Sequence, residues 1–195
     1  MKLYFAGSIR GGRADAQLYA RLIAHLKERH TVLTEHVGAP SALPTVETGM
    51  TDGDIWAQDM AWLRESDAVI AECSTPSLGV GYELAMAQQL GKPVHIFYDA
   101  RRGCLSAMLT GDPYYRIHPY TSEEALFRAL DAALEAISHT TKARREMIAA
   151  GFSYVRFRSL CGNRRTFHPP PPCAYRRRAC AARRRFPYSI LRRQR

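Results

Sequence analysis

A chain of 195 residues, 46% hydrophobic and with no run near the roughly 18 apolar residues of a membrane span, is expected to bury one ordinary core and to have no membrane association. Its formal charge of +10 suggests a polyanion-binding protein, but all 18 acidic residues lie at or before Glu146 and the residues after Gly151 hold 13 arginines and no acid. With 15 basic against 18 acidic residues, the first 150 positions carry −3, which excludes that class for the body of the chain.

The first strand is predicted in KLYFAGSI, stopped by the glycine turn of RGGR. The segment MKLYFAGSIR lacks the pattern of a secretory signal, so a cytoplasmic location is expected, or a nuclear one if the source is eukaryotic. Leu18, Leu22 and Leu26 with Tyr19 and Ile23 predict a helix over about 14–29. HTVLTEHV reads as a second strand, and Gly38 to Gly53, with Pro40 and Pro44, as a long loop of the kind that often carries function. A helix follows over Asp54–Glu65, then a strand in DAVIAEC and a helix from about Gly81 to Leu90. KPVHIFYD and YYRIHPY give a fourth and fifth strand, and SEEALFRALDAALEAI an amphipathic helix with Ser122 as its N-cap.

This alternation predicts an α/β fold, a doubly wound, Rossmann- or flavodoxin-like parallel sheet of about five strands flanked by helices, in a domain spanning residues 1–150. Residues 151–195, with four consecutive prolines and clustered arginines, read as a disordered tail. It is either an extension without a selected role or a segment for RNA, an anionic surface or nuclear targeting, and any nucleic-acid binding would be confined to it. The five cysteines form no CxxC pair and His36 has no second histidine or carboxylate at ligand spacing, so neither a metal nor an organic cofactor is expected.

In such sheets ligands sit at the carboxyl ends of the strands, near the switch in strand order. Those ends are GSIRGGR, CSTPSLGVGYE and DARRGCLSAM, rich in glycine, serine and arginine. Glycine-turn amides, hydroxyls and a guanidinium suit a phosphate monoester. Neither GxxxxGK[ST] nor GxGxxG is present. Glu83 has two readings, an acid placed by the helix macrodipole or a carboxylate that attacks a substrate. Asp59 interrupts an apolar helix row between Ile55 and Trp62, as an edge acid or as a functional acid whose pKa is raised by burial. Tyr4 and Tyr82 fit core aromatics, and His36 a structural histidine.

The segments LYFAGSIRGGR, VLTEHV, QDMAWLRESDAVIAE, PSLGVGYELA and LSAM, in this order and spacing, closely resemble the 2'-deoxynucleoside 5'-phosphate N-hydrolases of the nucleoside 2-deoxyribosyltransferase superfamily, over roughly residues 2–138. The resemblance implies hydrolysis of a deoxynucleoside 5'-monophosphate to free base and 2-deoxyribose 5-phosphate. It makes Glu83 the nucleophile on C1', Asp59 the acid/base and Tyr4 the residue that holds the nucleophile. It further implies phosphate binding by Arg10, Ser77 and Gly79, and by Ser106 from the second subunit of a homodimer. Gly7, Ser8, Ile9, His36 and Met108, on the matching segments, complete the expected substrate-binding set. A deoxyribosyltransferase or a ribonucleotide (CMP-type) N-glycosidase is the nearest alternative. The loop sequence APSALPTVETGMTDG and the arginine tail have no counterpart in the resemblance, so it assigns neither base preference nor a role for the tail.

Overall fold

The computed structural model describes residues 1–10, 14–39 and 49–149; the expected tail and most of the long loop lie outside the described residues. Five strands, β1 (Lys2–Ala6), β2 (Thr31–Val32), β3 (Ala68–Glu72), β4 (Val94–Asp99) and β5 (Arg116–Tyr120), form one parallel sheet in the order β2-β1-β3-β4-β5. The helices are α1 (Ala16–Lys27), α2 (Asp52–Glu65), α3 (Leu78–Gln89), the single turn α4 (Ala107–Thr110) and α5 (Glu123–Ala149). The strand order reverses between β1 and β3, so the crevice at their carboxyl ends is the place a ligand would enter.

Side chains alternate across each strand and divide the core into two layers. Leu3 and Phe5 of β1 and Ile70 of β3 pack with Leu22 and Leu26 of α1 and Leu126 and Leu130 of α5. Tyr4 and Ala6, with Val69 and Ala71, turn the other way and meet Met60 and Leu63 of α2 and Val80 and Leu84 of α3. This alternation places the Tyr4 hydroxyl in the α2/α3 layer.

Helix α5 runs on to Ala149, well past the expected end at Ile137, and three other departures from the expected spans have a visible reason. The second strand pairs over two residues only and then enters a 3-10 turn, Glu35–Gly38. Thr34 takes over the work of the ladder: its hydroxyl accepts from the Phe5 N–H at 2.8 Å and donates to the Phe5 carbonyl at 2.7 Å. The chain can therefore bend away while tied to β1, carrying His36 onto the turn. Helix α2 opens two residues early because Thr51 and Asp54 form a capping box, the Thr51 hydroxyl accepting from the Asp54 N–H and the Asp54 carboxylate from the Thr51 N–H. Helix α3 begins at Leu78, three residues before the expected start, because Ser77 caps it by accepting from the Val80 N–H.

Candidate active site

A cavity of about 620 Å³ opens at the switch point between the N-terminal halves of α2 and α3. Of the residues expected to bind substrate, Gly7, Ile9 and Arg10 line it from the end of β1, and His36 from the 3-10 turn. Ser77, Gly79 and Glu83 line it from α3, and Asp59 from α2. Tyr4 is fully buried beneath them, and its hydroxyl donates to the Glu83 carboxylate. Segments far apart in the chain thus converge on one pair of carboxylates.

The early start of α3 changes the electrostatic account of Glu83. It sits in the second turn, beyond the reach of the macrodipole, which acts within the first turn. Burial, reinforced by the nearby Asp59 charge and opposed by the Tyr4 hydrogen bond, pushes its pKa up to about 8. Burial raises Asp59 to about 6. Two close carboxyl groups titrate as a pair, so between about pH 6 and pH 8 they share one proton and one negative charge. Tyr4 is held protonated by its burial beside these acids and stays a donor throughout.

The remaining lining divides by chemistry. Ser77 and Gly79 line the cavity at the start of α3, where free N–H groups favour an anion. A Cβ built on Gly79 would meet nothing closer than the Ser77 hydroxyl at 3.8 Å, so the fold itself does not require glycine there. At Gly7 it does: a Cβ would lie 2.9 Å from the Tyr19 ring. Arg10 reaches the rim and pairs with the exposed Asp52 at 2.9 Å. His36 lies with its ring 5.5 Å from that of Trp62, and burial lowers its pKa, which leaves a neutral imidazole.

Three expected residues stand apart. Ser8 is buried behind the cavity, its N–H donating to the Tyr19 hydroxyl at 3.3 Å and its own hydroxyl without a partner among the described residues. Ser106 and Met108 line a second cavity, about 710 Å³, on the far side of the 76–80 segment. The two cavities share Pro76, Ser77, Leu78 and Val80. Two more aromatics line this cavity: Tyr82, which is 48% exposed and so is not the core aromatic expected from the sequence, and Trp56, which the sequence left unassigned and which is exposed although Met60 and Leu63 in the same helix row are buried. Among the described residues no group of three or more His, Cys, Asp or Glu is placed to hold a metal ion, and no helix is long and apolar enough to cross a membrane.

A parallel sheet of this order with a proton-sharing carboxylate pair at its switch point, beside a helix start able to take an anion, defines the class of protein. The nucleoside 2-deoxyribosyltransferase family matches residues 3–148, and the chain belongs to it. It is 52% identical over 114 residues to a 5-hydroxymethyl-dUMP N-hydrolase of Tetraodon nigroviridis, covering 57% of this chain and 80% of that one. It is 44% identical over 128 residues to the Mus musculus protein of the same name, covering 63% and 73%. A putative 2'-deoxynucleoside 5'-phosphate N-hydrolase 1 of Trichoplax adhaerens is 48% identical over 112 residues, covering 56% and 74%.

Proposed function

We propose that the protein is a nucleotide N-glycosidase that hydrolyses 2'-deoxynucleoside 5'-monophosphates to free nucleobase and 2-deoxyribose 5-phosphate. The relatives named as N-hydrolases of such nucleotides support the reaction class. The observation that carries the mechanism is the Glu83–Asp59 pair, which holds one proton near neutral pH. A glycosyl transfer of this kind needs one carboxylate and one carboxylic acid.

At rest the shared proton lies mainly on Glu83, the acid with the higher pKa; in the reactive arrangement it has passed to Asp59, which leaves Glu83 ionised with the Tyr4 hydroxyl donating to it. Cleavage of the C1'–N bond leaves its electron pair on the base, which takes the Asp59 proton. The Glu83 oxygen forms a bond to the cationic C1', giving a glycosyl ester. Asp59, now ionised, removes a proton from water as the water oxygen attacks C1' and the Glu83 carboxylate leaves. Each group is restored and no cofactor enters the balance. Arg10, Ser77 and Gly79 would hold the 5'-phosphate, with Gly7, Ile9 and His36 around the sugar and base. The protein would act in the cytoplasm.

Ser106 and Met108 enter the site in this reading from the second subunit of a homodimer. Leu78 is 97% and Met108 81% exposed, apolar surface beside the second cavity that a copy of the chain would cover. Incubation with a panel of deoxynucleoside and ribonucleoside monophosphates should release base from the deoxy compounds. A folded protein that left every one of them intact would overturn the proposal, and base exchange on adding a free base would mark a transferase instead.

A further inference from the structure

Trp56 has no place in the roles assigned above, and its position is unusual. Its row on α2 continues into Met60 and Leu63, both buried, yet the indole is 54% exposed. It lies three positions before Asp59, which places it about 4.5 Å along the helix axis from the acid, on the same cavity. The ring is also tethered: Nε1–H donates to the Tyr82 hydroxyl at 3.2 Å, across the gap between α2 and α3. Tyr82, 48% exposed, precedes Glu83 and lines the cavity as well. With its N–H engaged by Tyr82, the indole has only apolar ring surface left to offer a ligand.

The polar anchors of the cavity are elsewhere. Arg10, Ser77 and Gly79 are suited to the phosphate, and the carboxylates to C1'. A base departing from C1' beside Asp59 lies within one helical turn of Trp56. We infer that Trp56 is the stacking surface for the nucleobase and that Tyr82 positions it, a role that rests on the nucleotide reading of the same site. Stacking needs only a π-face, so Trp56 contributes to the binding of every base and leaves discrimination among bases to other groups. It contributes nothing to a base-free sugar phosphate.

The test combines kinetics with tryptophan fluorescence. With the deoxynucleoside monophosphate that the wild type hydrolyses best, Trp56→Ala should raise KM about tenfold or more while kcat changes far less, and Trp56→Phe should recover most of the loss. Tyr82→Phe, which frees the indole without removing it, should give a smaller rise in KM. In the Glu83→Gln protein, which should not consume the ligand, the nucleotide should quench tryptophan emission and 2-deoxyribose 5-phosphate should not. Adding Trp56→Phe should remove the quench although Trp62 remains. An unchanged KM in an active Trp56→Ala protein, or equal quenching by both ligands, would overturn the assignment while leaving the hydrolase reading intact. Nucleotide-specific quenching in a wild type that hydrolyses nothing would do the reverse.

Discussion

Two glutamates mark the two faces of the sheet, and they are treated oppositely. Glu72 ends β3 on the α1/α5 side, 1% exposed, and its carboxylate accepts from the Ser74 N–H, the Ser74 hydroxyl and, at 2.9 Å, the Tyr120 hydroxyl. Ser74 in turn accepts from the Asp99 N–H at 2.8 Å, so the network ties the ends of β3, β4 and β5 together. Glu83, on the α2/α3 side, takes a hydrogen bond from Tyr4, faces another acid and opens onto a cavity. Burial raises the pKa of both, but in Glu72 three donors oppose it. A satisfied acid fastens strands. An acid short of donors holds a proton it can lose and a charge that a cationic sugar can neutralise.

Replacing Glu83 should give the largest effect and the sharpest form of this contrast. Glu83→Gln should lower kcat by about 10⁴-fold or more, read in the base-release assay. The same change should make the protein more stable. The folded-state pKa of about 8 lies above the ordinary 4.5, so the folded chain holds this proton where the unfolded chain has lost it. The contribution of Glu83 to stability is therefore full below about pH 4.5 and is lost as the pH rises through 8. Glutamine has no proton to lose. Unfolding free energies of variant and wild type should nearly coincide at pH 5 and separate by pH 8.5, by roughly 2–4 kcal/mol in favour of the variant. A wild type more stable at pH 8.5 would contradict the electrostatic account.

Glu72→Leu should do the opposite. It strands the Ser74 and Tyr120 hydroxyls in the core and should lower unfolding free energy by about 2–4 kcal/mol, measured by denaturant midpoint, while activity per folded molecule is largely kept. A loss of kcat comparable to that of Glu83→Gln would show that the two faces are not separable in this way.

The architecture was legible in the sequence because a parallel sheet leaves a long-range pattern of apolar runs and helical periodicities, and five strands followed from it. Local replacements of hydrogen bonds were less legible. Nothing in HTVLTEHV signals that the Thr34 side chain will substitute for strand pairing, and the caps at Thr51 and Ser77 moved two helix starts. That second shift carried a chemical consequence, since it took Glu83 out of the first turn and replaced the dipole by burial as the dominant influence. Trp56 was illegible for a related reason. Periodicity reports which row a residue occupies, whereas exposure depends on how far the neighbouring helix covers that row, which is a property of the packing of α3 against α2.

The smallest expected effect comes from two glycines that look alike in sequence. Gly7 and Gly79 both line the cavity, yet a Cβ at Gly7 would strike the Tyr19 ring at 2.9 Å, and one at Gly79 would stand 3.8 Å from its nearest neighbour. Gly7→Ala should therefore displace Tyr19 and lower stability by about 1 kcal/mol or more. Gly79→Ala should leave stability within about 0.5 kcal/mol, or improve it slightly, because alanine is the better helix former. Its methyl group would stand in the space proposed for the phosphate, so KM should rise several-fold for nucleoside monophosphates. If KM rose instead in Gly7→Ala and not in Gly79→Ala, the phosphate would lie against β1, and the start of α3 would be left with a structural cap and no ligand.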